Sequence, residues 1–224
     1  VVVDDSGKKG KVRVIRKLGS SIANVRAGQE SAVVIDTRPQ DSLPSFVFED
    51  FEGSIDAWKV QHSENANGSI EIVDAGLGRE GKAAHFTCEN DSNYNWVLMG
   101  RSLGGMVDMS NLDSIVFWAR TDVVDSSKRK YISFSLDLNV DSTSSLKSGK
   151  AWVHLDVDTV WNRFVVTPSD FLEPDSNNIG GNLGWDVVKR NITDISIFGG
   201  TGGEFWIDDI EVFGYSKFVA RDPE

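Results

Sequence analysis

The chain of 224 residues has one cysteine, Cys88, and no apolar run near the ~18 residues that a membrane-spanning helix needs. It is also short of basic charge, with 23 Lys and Arg against 34 Asp and Glu, for a formal net charge of −11. Each shortage excludes something. A lone thiol cannot close an internal disulfide or build a cysteine-rich metal site, and it leaves the redox compartment open. In HFTCEN, Cys88 reads as a small strand residue. The acidic balance, with a pI near 4.7, disfavours nucleic acid and anionic membrane as partners, because both need basic patches. The one basic run, Lys128 to Lys130, follows Asp122 and Asp125 and reads as a charged turn. No signal peptide is visible, and the chain opens on VVVDDSG without Met, which suggests an excised or processed piece of something larger. A long amphipathic helix is missing too; GWDVVKR and SDFLE each suit a short helical turn.

What is present is a succession of short, often alternating apolar segments: KVRVIRK, SAVVIDT, SIEIVDA, AAHFTCE, SIVFWAR, YISFSLDLNV, AWVHLDVD, NRFVVTP, DISIFGG and FWIDDIEVFG. Turn-rich stretches such as ENANGS, AGLGREG, DSTSSLKSGK and EPDSNNIGGN separate them. This pattern predicts an all-β protein, an antiparallel β-sandwich of the jelly-roll kind. TRPQDSLPS marks a boundary. Residues 1–42 are then a small β appendage or the tail of a neighbouring β domain, 46–215 the main domain, and 216–224 a linker stub.

Within the main domain, two features stand out. YISFSLDLN and AWVHLDVD alternate cleanly and are joined by a loop, so a hairpin is expected. Ile132, Phe134, Leu136, Val153 and Leu155 then point to one side, and Tyr131, Ser135, Asp137, Trp152, His154 and Asp156 to the other. An exposed aromatic flanked by carboxylates and imidazole suits a sugar, whose C–H face stacks and whose hydroxyls need polar partners. Trp118 and Arg120 alternate away from Phe117 and Ala119 and are expected to join that face; Tyr94 and Trp96 share a side in SNYNWVL. Trp58, Trp161 and Trp206 read as packing residues, and Trp185 as a rim or a staple in a Gly-rich loop. The second feature is the late strand GEFWIDDIEVFG, where Asp208 and Asp209 interrupt an apolar run although acidic residues are depleted in strands.

In order, FVFEDFEGSIDAW, LGREGKAAHF, LDSIVFWARTD, VWNRFVVTPSDF and ITDISIFGGTGGEFWIDDIEVFG resemble the jelly-roll carbohydrate-binding modules of bacterial plant-cell-wall enzymes, especially family eleven and the related galactose-binding-like domains. The resemblance spans roughly residues 46–215. It implies a structural calcium tying the first strand to the last, with Asp50, Glu52, Glu80 and one of Asp208 and Asp209 as oxygen ligands. It also implies non-catalytic binding of a poly- or oligosaccharide, of β-glucan or hemicellulose type, on a concave sheet face. The host would be a larger secreted or surface-attached bacterial protein.

Two other classes compete with this reading. A glycoside hydrolase needs two carboxylates ~5–10 Å apart across a cleft, for which Asp137 and Asp156 are the available pair; no nucleophile motif adjoins His154 and the glycines form no phosphate loop. A protein-interaction or assembly domain uses the same sandwich, and fold alone does not separate it from a sugar binder.

Overall fold

The computed structural model describes residues 43–90, 95–122, 130–141, 144–174, 181–200 and 202–222. The expected appendage over 1–42 and the expected face residue Tyr94 lie outside the described residues. Pro44–Glu224 is a compact unit.

Among the described residues, eleven strands form two antiparallel sheets. β3 (Ala66–Gly76), β4 (Arg79–Asn90), β11 (Gly203–Phe213), β6 (Ser114–Thr121) and β9 (Asn162–Val166) lie side by side in that order, and β1 (Ser45–Glu49) also pairs with β11. The second sheet runs β2 (Trp58–His62), β5 (Val97–Val107), β10 (Ile192–Gly199), β7 (Tyr131–Leu138) and β8 (Gly149–Asp156). The two short helical turns fall at Pro168–Asp170 and at α1 (Trp185–Val188). The β-sandwich expected from alternation is therefore the fold. Its core is the layer between the sheets, where Phe86, Phe117, Phe134, Phe205, Ile132, Leu136 and Ile207 are fully buried. Phe117 of β6 stacks on Phe134 of β7 at 5.4 Å, so one aromatic pair bridges the two sheets.

β11 explains its own aspartates. Phe205–Ile207 pair with β4 on one edge, and Ile210–Phe213 pair with β1. The register toward β6 shifts between Asp208 and Glu211, and Asp209 takes a positive φ of 48°. The two acids thus sit on a bulge, where one neighbouring strand gives way to the next and the ladder is locally open. A left-handed conformation is one that Asp tolerates better than the β-branched residues around it.

The chain beyond β11 is not a free linker stub. Phe218 packs edge-on against Phe46 at 5.0 Å, and Arg221 exchanges backbone hydrogen bonds with Met106 at 2.8 and 2.9 Å.

Candidate functional site

The β7–β8 hairpin forms in the expected phase. Tyr131 pairs with Asp156, Ser133 with His154, Ser135 with Trp152 and Asp137 with Lys150. Ile132, Phe134, Leu136, Ala151 and Val153 face the core. On the outer side β10 adds Asp194, Ser196 and Phe198 in register with Asp137, Ser135 and Ser133.

A chain of ring contacts crosses this outer face. Trp96, at the mouth of β5, lies 6.4 Å from Phe198; Phe198 meets Trp152 edge-on at 6.4 Å; Trp152 and Tyr131 each lie 5.2 Å from His154. Trp96 and His154 are exposed and the other three rings half-buried. Phe198 is a residue that the sequence reading passed over. Its signal was the alternation in DISIFGG, where Ile195 and Ile197 go inward and leave Ser196 and Phe198 facing out. Gly200 completes the platform, since a Cβ there would fall 2.3 Å from the Tyr131 ring.

Two of the expected ligand residues do a different job. Ser135 is fully buried and Asp137 is 8% exposed. Their short side chains are covered, in register with Trp152 and Lys150 of β8 and with Ser196 and Asp194 of β10. Asp137 accepts hydrogen bonds from the hydroxyls of Ser135 and Ser196, one on each carboxylate oxygen, and its backbone carbonyl accepts from Thr193 at 3.1 Å. Burial pushes its carboxyl above the usual range, against the two serine hydrogen bonds and the nearby Lys150, which lower it. Asp156 lies at the other end of the hairpin, six residues along β8 from Lys150, the cross-strand partner of Asp137. At ~3.3 Å per residue that separates the two carboxylates by roughly 20 Å, too far for a hydrolytic pair.

Trp118 and Arg120 do not join this face. They lie on β6, in the other sheet, and point away from the core on the opposite side of the sandwich. Alternation gave their direction correctly but could not give their sheet. There they belong to a stack of cations and rings. His85 lies 4.5 Å from Trp206 and nearly parallel; Arg120 covers Trp206 at 3.7 Å and reaches Trp161 at 5.4 Å; Arg79 lies 4.7 Å from Trp118 and 5.6 Å from Trp161. Both faces of Trp206 are thus covered, and Trp161 gives its Nε1–H to the Gly76 carbonyl at 3.1 Å. Trp58 is a core residue, donating Nε1–H to Glu49 at 3.0 Å, and Trp185 stacks on Phe171 at 5.3 Å. Cys88 is buried, and its thiol is pushed well up by that burial.

The carboxylates expected to share a calcium do not come together. Asp208 and Asp209 both bind the guanidinium of Arg79, so a fixed positive charge from the protein itself stands where the cation was expected. Glu52 accepts from the Lys82 backbone N–H at 2.7 Å, Asp50 accepts from the N–H of Glu52 at 3.2 Å, and Glu80 is exposed. Among the described residues no three His, Cys, Asp or Glu side chains are grouped to hold a metal. The GREGKAA turn does reach the last strand, but through Arg79 rather than its neighbour Glu80.

No family model matches the chain, and no curated protein matches it. Solved structures do. The family 11 carbohydrate-binding module from Clostridium thermocellum, in complex with a β-1,3-1,4-mixed-linked tetrasaccharide, superposes with a TM-score of 0.59 at 20% identity, over 81% of this chain and 99% of that one. The family 11 module of the cellulosomal cellulase Lic26A-Cel5E of the same organism gives 0.57 at 20% identity, over 78% and 96%. The solution structure of CtCBM11 gives 0.55 at 19% identity, over 79% and 99%. This chain has the fold of the family 11 modules, the β-sandwich that its ordered segments resemble.

Proposed function

We propose that the protein binds a polysaccharide, without catalysis, on the outer face of the five-stranded sheet. The observation that carries this reading is the unbroken set of ring contacts Trp96–Phe198–Trp152–His154–Tyr131 on one sheet face. Flat half-exposed rings beside hydroxyl and charged groups match the apolar faces and polar rims of sugar rings. The fold shared with carbohydrate-binding modules supports the reading. Neutral sugars exchange water for protein at little net gain, so affinity is expected in the micromolar to millimolar range. In this reading the module targets a larger secreted or surface bacterial protein to plant cell-wall material. None of the described helices is long and apolar enough to cross a membrane.

Affinity electrophoresis across glucans, mannans, xylans and pectins tests the proposal, followed by titration of the retained polymer with the wild-type chain and Trp152→Ala. Retention abolished by the substitution supports it. No retention on any polymer sinks it and leaves the protein-interaction reading ahead.

A further inference from the structure

The central polar groups of the platform differ in what they still have to offer. Asp137 beneath it is committed, with the hydroxyls of Ser135 and Ser196 on its two oxygens, and His154 Nδ1 shares a hydrogen bond with Ser133 at 2.7 Å. Asp194, in register with Asp137, accepts from Asn139 Nδ2 on one oxygen at 2.9 Å and keeps the other for a sugar hydroxyl. The donors are not taken. Among the described residues the Lys150 ammonium has no hydrogen-bond or ion-pair partner; it rests 4.2 Å from the centre of the Phe198 ring and 4.9 Å from that of Trp152. Trp152 Nε1–H beneath it is buried and also has no acceptor. Lys150 is half-buried, and the loss of water disfavours its charged form more than Asp137 restores it.

A sugar hydroxyl both gives and takes a proton, so it is best matched by a mixed set of free donors and acceptors. An ionised carboxylate only accepts, and a half-desolvated ammonium between two rings is its natural counterpart. The net charge of −11 opposes an acidic ligand at long range. At physiological salt, however, that repulsion is screened beyond ~8 Å, whereas a contact pair inside a partly dry site is screened much less.

We propose that the polysaccharide taken by this face carries uronic acid units, with the sugar carboxylate on Lys150 and the sugar ring against Phe198 and Trp152. The assignment rests on the polysaccharide-binding reading above and narrows its substrate class.

The test uses the full chain and matched polymers: polygalacturonate and a glucuronoxylan, each beside its carboxyl-reduced, neutral form, with a mixed-linkage β-glucan as the neutral reference. The wild type should bind one native acidic polymer at least tenfold more tightly than its reduced form. Lys150→Met should weaken binding of the native acidic polymer more than binding of its reduced form, so that the preference is lost, and Lys150→Arg should keep it. The preference should survive a rise in salt from 50 to 500 mM, which screens the long-range repulsion more than the contact pair. Equal binding of native and reduced polymers, binding of the neutral glucan alone, or an acid preference that survives Lys150→Met overturns the assignment and leaves polysaccharide binding standing. Binding of no polymer overturns both. Should Lys150→Met fail to fold, Lys150→Arg and the comparison of native with reduced polymer decide the matter on the folded proteins.

Discussion

Arg79, the first residue of β4, clasps Asp208 on the bulge of β11, and the pair is nearly buried, at 16% and 4% side-chain exposure. Burial pushes the Asp208 carboxyl up to about 6, with the Arg79 hydrogen bond opposing and the adjacent Asp209 charge adding to the rise. The folded pKa therefore lies above the ~3.9 of an unfolded aspartate, so the folded state holds the proton more tightly. The stability this confers is full below about pH 4 and is lost as pH rises through about 6. Comparison of wild type with Asp208→Asn in urea at pH 4.5 and 7.5 should show the substitution flattening a loss on the order of 2 kcal/mol. Equal pH slopes for the two proteins would rule this out.

The same pair bears on calcium. With Arg79 neutralising Asp208 and Asp209, melting of the wild type should be indifferent to chelator and to added calcium. Arg79→Met, which leaves a buried acid without its partner, should cost about 3 kcal/mol at pH 7 and less at pH 5, where Asp208 takes up a proton. A wild-type melting temperature that falls with chelator and returns with calcium would reinstate a cation site by mass action.

Trp152 is half-buried rather than free. Trp152→Ala should weaken polysaccharide binding roughly tenfold to a hundredfold, from about 1–3 kcal/mol of lost stacking. It should also cost about 1 kcal/mol of stability, since the ring packs on His154 and Phe198. Calorimetric titration and thermal melting, run side by side, separate the two effects. Intact binding with a large loss of stability would make the ring structural.

Asp137 should behave as part of the scaffold. Asp137→Ala leaves the hydroxyls of Ser135 and Ser196 buried without an acceptor, a loss of about 1–3 kcal/mol in denaturant. Asp137→Asn keeps an acceptor and should recover most of it. A variant with unchanged stability and abolished binding would instead return Asp137 to direct ligand contact.

Alternation along single strands was enough to place Ile132, Phe134, Val153 and Leu155 inward, because a pleated strand sends successive side chains to opposite faces whatever its neighbours are. It was not enough for Trp118 and Arg120. Their direction is a property of β6, but their sheet is set by which strands β6 joins, β11 and β9, and such non-local pairing leaves no mark in a short segment. Ser135 and Asp137 went astray for a related reason: a small side chain facing outward is covered or open according to residues on β8 and β10 that only register brings alongside. The aspartate pair was legible as an anomaly. Its partner was misjudged by one residue, because the turn that reaches the last strand was recognisable while the side chain that projects from it was not.

Where the sandwich begins and where it ends are one hydrogen bond apart: Gly214 donates its N–H to the Pro44 carbonyl at 2.8 Å, and Ser45 pairs with Phe213. Topologically the strand sequence is therefore almost a closed circle. Joining Gly214 to Pro44 across that point and reopening the sandwich at an exposed turn, such as the tip at Leu77 between β3 and β4, would keep every strand pairing and break only the β3–β4 connection, at the cost of the Phe218 and Arg221 contacts. The point at which the circle of strands is opened is thus nearly independent of the arrangement they adopt.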